Sequence, residues 1–245
     1  MRRKLSDNIK RIRDRMQQAC ARSGRQLQDI KLIAVTKTVE VDIIRNVMES
    51  GLLDLGESRV QTLIKRAGMI CEHLSRRRKL EPENAPPDPN WHMIGHLQRN
   101  KVRMLLPWVH TIHSLDSLRL AEEISNEAQK LNRIVPALIE VNIANEKNKY
   151  GIAVGAAVHF ARSIENLPGL KVVGLMAMAP WAEDAEKARP YFVRLREVFE
   201  DMIYEKVVGP AFRELSMGMS NDFEVAIEEG ATMVRVGTAL FEGLS

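Results

Sequence analysis

The sequence predicts an α/β fold, a single (β/α)8 TIM-type barrel with an additional N-terminal helix, forming one domain over residues 1–245. The chain has 245 residues, close to the roughly 250 of one such barrel. Short apolar, β-branched runs alternate with helical patterns, which is typical of parallel βαβ units. Eight such runs occur. An open, doubly wound sheet is the alternative, but no Gly-x-Gly-x-x-Gly turn follows the first run.

Residues 1–25 are predicted to form a basic amphipathic helix. Its apolar positions Leu5, Ile9, Ile12 and Met16 recur at helical spacing, so one face packs on the outside of the domain. The segment holds nine Arg or Lys residues and two Asp residues, a net +7 in a chain whose formal charge is +4. The basicity is therefore local, because the rest of the chain is slightly acidic.

The predicted barrel strands are short apolar segments separated by helical patterns. In order, they are 31–37, 53–56, 91–95, 109–113, 134–143, 170–177, 213–217 and 232–236. A helix is expected after each strand, including the eighth. Residues 75–90 are predicted to be an exposed, Pro-rich loop, because a basic run leads there into prolines that cannot continue a helix or a sheet.

Composition argues against several classes of function. No apolar run approaches the ~20 residues of a membrane span, and the first residues lead into a polar helix pattern instead of a secretory signal. We therefore expect a cytoplasmic protein without membrane contact. Cys20 and Cys71 are expected to be free thiols, since two distant cysteines build neither a disulfide framework nor a thiolate metal site. No nucleic acid is expected, because no aromatic residues alternate with the basic runs.

Lys37 is the candidate reactive residue. It ends the apolar run of the first strand, and in such barrels the carboxyl ends of the strands carry the reactive groups. A lysine that faces the pocket there is partly desolvated, which frees its amine to attack an aldehyde. The alternative is a surface lysine that closes the strand.

The loops after the seventh and eighth strands form a candidate phosphate site. Met217-Gly218-Met219-Ser220 follows the seventh strand, and Gly237-Thr238 follows the eighth. Glycine allows close backbone approach, and hydroxyl groups together with helix N-termini bind a dianion. Arg235 on the last strand is placed to reach the ring of the same ligand. Ordinary helix caps are the alternative interpretation.

Six stretches, in order over nearly the whole chain, resemble the pyridoxal phosphate homeostasis proteins (YggS/PROSC-like). That family is similar in fold to the N-terminal barrel domain of alanine racemase. The stretches are AVTK (34–37), GESRVQ (56–61), WHMIGHLQRNK (91–101), GLMAMAP (174–180), LSMGMS (215–220) and MVRVGT (233–238).

The resemblance implies that pyridoxal 5′-phosphate is the cofactor and forms an internal aldimine with Lys37. It also implies the roles of the residues around that cofactor. The phosphate would be held by Ser220, Gly237 and Thr238 with backbone contacts from Met219, and the pyridine nitrogen would lie beside Arg235. The family motif after the second strand reads Gly-Glu-Asn, so Ser58 here offers one polar atom fewer than the family's asparagine.

Three further residues are weaker candidates. His96, after the third strand, is predicted to line the pocket, with hydrogen bonding to strand termini as the alternative. His92 lies four residues earlier, but Gly95 breaks the helical face that a paired-histidine site needs, so no metal is expected. Lys149 is a candidate for transient acceptance of the aldehyde, with a solvated loop lysine as the alternative.

The resemblance and these residues predict a carrier of pyridoxal phosphate in vitamin B6 and amino-acid homeostasis, without evident catalysis. Arginine beside the ring nitrogen makes the cofactor a weaker electron sink. The chain also ends without the β domain that supplies a second base in alanine racemase, and Tyr150 is interpreted as rim packing. A monomer is expected, with apo pyridoxal phosphate enzymes as candidate recipients. The rival functions are an amino-acid racemase that uses Lys37 as a base and an aldolase-type barrel with a substrate imine on Lys37.

Overall fold

Eight parallel strands close into a barrel in the computed structural model, which describes residues 2–146 and 148–244. The strands are β1 (Lys31–Val35), β2 (Asp54–Glu57), β3 (Asn90–Met93), β4 (Thr111–Leu115), β5 (Val135–Asn142), β6 (Leu170–Met176), β7 (Glu214–Ser216) and β8 (Met233–Val236). Neighbours in this order pair in parallel, and the pairing of β1 with β8 closes the ring. The predicted (β/α)8 fold is confirmed, with one added two-residue strand, Ile152–Ala153, at the end of β5.

The helices form a layer outside the strands. The first, α1 (Arg2–Ser23), precedes the barrel, as predicted. One helix then follows each of the first seven strands. They are α2 (Val41–Glu49), α3 (Val60–Leu80), α4 (Val102–Leu105), α5 (Leu118–Lys130), α6 (Ala157–Ile164), α7 (Arg189–Tyr204) and α8 (Phe223–Glu228).

The helix expected after the eighth strand is absent from the described residues, and that expectation is wrong. Residues 237–244 form turns, and α1 packs against both α8 and α2. A helix following β8 would lie between those two, so α1 fills its place. The reason is burial of apolar surface, which does not depend on chain order. The face of α1 that carries Leu5, Ile9, Ile12 and Met16 is buried.

The basic residues of α1 meet carboxylates from the end of the chain. Arg15 pairs with Glu224 at 2.6 Å and Arg22 pairs with Glu228 at 2.6 Å. Arg25, two residues after the end of α1, adds a hydrogen bond to the backbone carbonyl of Ile227 at 2.8 Å. The local excess of positive charge thus attaches the first helix to the last one.

The predicted loop over 75–90 is shorter in the structure. Helix α3 continues through the basic run to Leu80, and β3 begins at Asn90. Basic side chains in the last turn of a helix interact favourably with its carbonyl end, whereas Pro82 supplies no backbone N–H to extend it. The segment outside helix and strand is therefore 81–89, which includes a short 3-10 turn, Pro82–Asn84.

Two further expectations concern helices and cysteines. No helix among the described residues is long and apolar enough to cross a membrane. Cys20 is buried and Cys71 is exposed, and both are free thiols, as predicted.

Candidate functional site

Lys37 lies in the turn directly after β1, at the carboxyl end of the barrel. The residue is exposed, whereas Thr36 before it and Val39 after it are buried. The expectation of a partly desolvated lysine is wrong, because its neighbours take the interior positions and the turn carries Lys37 into solvent. An amine in this position is accessible to a ligand at the barrel mouth.

A buried ion pair holds the turn that carries Lys37. The guanidinium of Arg66 donates to the carbonyl oxygens of Thr36 at 2.6 Å and Val39 at 2.5 Å, and it also pairs with the carboxylate of Glu57. The hydroxyl of Thr36 donates to the same carboxylate at 2.5 Å. The side chains of Arg66 and Glu57 are 13% and 1% exposed, so the turn is fixed from the protein side. No local sequence motif indicated this pair.

The loop after β7 requires glycine at position 218. Gly218 has φ +88°, and a Cβ there would lie 2.5 Å from the Cβ of Ala226 and 2.9 Å from the Cα of Phe223. Its carbonyl accepts a hydrogen bond from the backbone N–H of Arg235 at 3.0 Å. This contact sets the loop after β7 against β8.

Ser220 joins the two predicted phosphate-binding loops. Its Oγ accepts hydrogen bonds from the backbone N–H groups of Gly237 and Ala239, each at 3.3 Å. The two N–H groups therefore converge on one point, an arrangement that suits an anionic oxygen, and at 3.3 Å both bonds are longer than usual. A Cβ at Gly237 would lie 3.2 Å from the carbonyl oxygen of Val35, so this cradle adjoins the strand that ends before Lys37.

The other two predicted phosphate ligands, Thr238 and Met219, differ in whether their polar groups are free to bind a ligand. Thr238 is exposed beside Gly237. The amide of Met219 donates to the carboxylate of Asp222 at 2.6 Å, and the backbone contact from Met219 to a ligand stays a prediction. Burial raises the pKa of Asp222, and the bond from Met219 opposes that rise.

Arg235 points into the barrel. It is 4% exposed, and its guanidinium donates to Ser216 Oγ at 2.6 Å and to the carbonyl of Ala177 at 3.0 Å. Burial lowers its pKa to about 10, although the carboxylates of Asp222 and Glu140 act in the other direction. The arginine therefore remains charged at neutral pH and places a fixed positive charge below the mouth.

Ser216 begins a chain of buried polar side chains. Its Oγ lies 2.9 Å from Nδ1 of His113, Nε2 of His113 lies 2.9 Å from Nδ1 of His92, and Nε2 of His92 lies 3.0 Å from Oδ1 of Asp54. Because β4 and β7 are not neighbours in the sheet, the contact between His113 and Ser216 crosses the barrel interior. Burial lowers the pKa of both histidines, so both are neutral at pH 7.

The rim near β3 and β4 carries the other predicted histidine. Nδ1 of His96 lies 3.1 Å from Oδ2 of Asp116, and the ring of His96 stacks on Tyr150 with centroids 3.7 Å apart. His96 therefore makes the kind of hydrogen bond near a strand end that was the alternative to its lining the pocket. Tyr150 packs at the rim, as interpreted from the sequence. His92 points instead into the chain described above. Within residues 2–146 and 148–244 no group of three or more His, Cys, Asp or Glu side chains could hold a metal ion.

Ser58 and Lys149 lie after β2 and β5, at the end of the barrel where the strands have their carboxyl ends. Ser58 follows β2, and the backbone of Gly95 packs so closely on it that a Cβ at 95 would lie 2.9 Å from the Cα of Ser58. Nζ of Lys149 lies 2.8 Å from the carboxylate of Glu146, and the residue is exposed. Lys147, in the same loop, lies outside the described residues.

Glu140 on β5 is a buried carboxyl group that no sequence motif indicated as part of a site. It is 6% exposed, and burial together with Asp116 raises its pKa to about 7, while Arg235 opposes the rise. A group with this pKa changes its charge near neutral pH, and it lies close enough to Arg235 to feel that charge.

We expect Glu140→Gln to change the pH dependence of stability. The pKa of Glu140 is 4.5 without perturbation and about 7 in the fold, so the fold favours the neutral acid. That stabilisation is complete below pH 4.5 and is lost as pH rises through 7. The neutral amide avoids this loss, so the unfolding free energy of the variant relative to wild type should rise by up to about 3 kcal/mol over that range.

Urea unfolding at a series of pH values measures this difference. Glu122→Gln, at an exposed position of α5, serves as the control and should show little change with pH. A flat difference between Glu140→Gln and wild type would contradict the shifted pKa.

The geometry defines a class of protein. It is a closed parallel barrel that carries a lysine after β1 and converging backbone amides after β8, next to the loop that follows β7. Residues 3–244 match the family model described as alanine racemase, N-terminal domain. A pyridoxal phosphate homeostasis protein from Aquifex aeolicus is 42% identical over 235 residues, 96% of each chain. One from Pseudomonas aeruginosa is 34% identical over 238 residues, 97% of this chain and 94% of the other.

A solved structure agrees with these relatives. The structure of PipY from Synechococcus elongatus with PLP bound has a TM-score of 0.76 and 30% identity, and the match covers 94% of this chain and 99% of that one. The chain belongs to the pyridoxal phosphate homeostasis protein family.

Proposed function

We propose that this protein binds pyridoxal 5′-phosphate covalently on Lys37 and acts as a carrier of the cofactor in cytoplasmic vitamin B6 and amino-acid homeostasis. The observation that carries the proposal is the convergence of the Gly237 and Ala239 amides on Ser220 Oγ, beside the end of β1. Convergent amides bind phosphate, and an accessible lysine amine binds an aldehyde. Pyridoxal phosphate carries both groups in one molecule.

The residues present fit this cofactor. Gly237 and Gly218 bring the backbone close without side chains in the way, and the hydroxyl groups of Ser220 and Thr238 add donors for the phosphate. The bound cofactor would supply an aldehyde carbon and an aromatic ring that withdraws electrons. The fixed charge of Arg235 would face that ring as a hydrogen-bond donor, which does not favour protonation of the ring nitrogen as a carboxylate does.

The same geometry favours a carrier of pyridoxal phosphate over an amino-acid racemase. A racemase needs a second base opposite Lys37, and the ring of Tyr150 is already stacked on His96 at the rim. Exposure of Lys37 in its turn favours exchange of the cofactor with solvent and with other proteins. We propose a monomer that supplies apo pyridoxal phosphate enzymes, and sedimentation of the loaded protein alone and with such an enzyme checks both points.

The decisive experiment is chemical trapping of the cofactor. Protein incubated with pyridoxal phosphate should gain an imine absorption band, and borohydride reduction should leave the added mass on the peptide that contains Lys37. Lys37→Ala is expected to lose this label. If the label appears on other lysines of the wild-type protein and not on Lys37, the proposal is wrong.

Two controls separate the rival functions. Lys149→Ala should keep the label on Lys37; slower handover to an apo enzyme in this variant would assign Lys149 a transient role in acceptance of the aldehyde. Exchange of the α-hydrogen of amino acids with deuterated water, lost in Lys37→Ala, would instead support a racemase. A colourless protein trapped by sugar phosphates would support the aldolase-type alternative.

A further inference from the structure

The buried series of hydrogen bonds from Arg235 to Asp54 has only one possible direction when both of its histidines are neutral. A guanidinium only donates, and a carboxylate only accepts. Each group between them has one neighbour on either side, at 2.6 to 3.0 Å. With neutral histidines, the protons follow a single order. Arg235 donates to Ser216, Ser216 to His113, His113 to His92, and His92 to Asp54.

This order determines the tautomer of each histidine. His92 donates through Nε2 to Asp54, so its Nδ1 is unprotonated and accepts from His113. His113 donates through Nε2, so its Nδ1 accepts from the hydroxyl of Ser216. The hydroxyl proton of Ser216 therefore points away from Arg235, and its lone pairs face the guanidinium.

We infer that His92 and His113 are positioning residues, oriented by Asp54, that hold Ser216 as the acceptor for Arg235 and so fix the guanidinium beneath the cofactor ring. The ring contact rests on the proposed function, whereas the directed chain does not. The four residues that these hydrogen bonds connect above Asp54 are all at least nine-tenths buried: His92, His113, Ser216 and Arg235. Hydrogen bonds between groups buried this deeply are stronger than they would be in water.

Asp54 connects this chain to the opposite end of the barrel. It is the first residue of β2, its side chain is 22% exposed, and it lines a cavity of about 420 Å3 together with Lys31 and Gln28. Asn90 also donates to Oδ1 of Asp54 at 3.2 Å, which holds the carboxylate toward His92. A change at Asp54 is therefore expected to reach Arg235 through four hydrogen bonds, without touching the mouth.

The test is nitrogen-15 NMR of the histidine rings in the full-length, cofactor-free protein near pH 7.5. We expect His92 and His113 both to be neutral and protonated on Nε2. Asp54→Asn keeps an oxygen acceptor and should preserve these tautomers. Asp54→Ala removes the acceptor and should move His92, and through it His113, toward protonation on Nδ1.

Cofactor binding supplies the second measurement. Asp54→Ala should weaken binding of pyridoxal phosphate roughly 2- to 10-fold, the worth of one hydrogen bond, and shift the absorption band of the bound form, while Asp54→Asn should remain near wild type. A purely structural role would weaken both variants equally and leave the tautomers unchanged.

The two proposals fail separately. Wild-type protein with either histidine doubly protonated, or protonated on Nδ1, would overturn this inference even if borohydride labels Lys37. Absence of the label on Lys37, with the tautomers as expected, would overturn the proposed function and leave the directed chain in place.

Discussion

Replacement of Arg66 by methionine is expected to lower the free energy of unfolding by about 3 to 5 kcal/mol, because it leaves the buried carboxylate of Glu57 without its positively charged partner. The same change removes the donor to the carbonyl oxygens of Thr36 and Val39. The turn that carries Lys37 should therefore loosen, and borohydride labelling of Lys37 should fall along with stability. Urea unfolding and peptide mass spectrometry measure the two effects.

Arg76 provides a matched control on the same helix. It pairs with Glu72 at 2.6 Å, but the two side chains are 75% and 65% exposed. An exposed pair is worth about 0 to 1 kcal/mol, so Arg76→Met should change little. Equal losses in Arg66→Met and Arg76→Met would show that burial of the Arg66 pair is not what stabilises the turn.

Substitution of Gly218 by alanine is the other change with a large expected effect. Its φ of +88° and the 2.5 Å approach to Ala226 combine backbone strain with overpacking, each about 1 to 3 kcal/mol. The loop after β7 would have to move away from α8, which disturbs the bond from Arg235 to the carbonyl of Gly218. Stability and affinity for pyridoxal phosphate should both fall, as followed by urea unfolding and by absorbance titration.

Gly209→Ala is the control for this prediction. No atom lies within 4 Å of a Cβ built at Gly209, and its φ lies outside the left-handed region. Alanine at such a position is neutral or stabilises by about 0.4 to 1 kcal/mol, since it restricts the unfolded chain. If Gly218→Ala proves as mild as Gly209→Ala, the loop after β7 is more adaptable than its geometry indicates.

The strands were predictable from the sequence because they are buried on both faces. In β1, residues 32–35 are all apolar and all buried, and a strand buried on both faces is a nearly continuous apolar run. The bounds were less predictable. The ends of β1 and β7 depend on where pairing with a neighbour stops, at Val35 and Ser216, and pairing is a property of the assembled sheet.

The candidate site divides in the same way. Lys37, Ser220 and Gly237 could be predicted as site residues because they follow apolar runs whose carboxyl ends meet at one face of a parallel barrel. Arg66 and His113 were missed because each acts through residues far away in sequence. A signal was present in the charged or histidine side chains inside apolar strands, such as His92 and Arg235, but the contact that links them, between His113 and Ser216, joins strands that are not neighbours.

The sequence by itself determined the barrel, the order of its strands and the position of Lys37 at the carboxyl end of β1, because these follow from local apolar patterns and from the shared direction of parallel strands. Only the tertiary structure decided that α1 takes the place of an eighth outer helix and that the amide of Met219 donates to Asp222. It also decided that a series of hydrogen-bonded side chains crosses the interior to Arg235. Those outcomes depend on distances between residues far apart in the chain, which the packing of the whole domain sets.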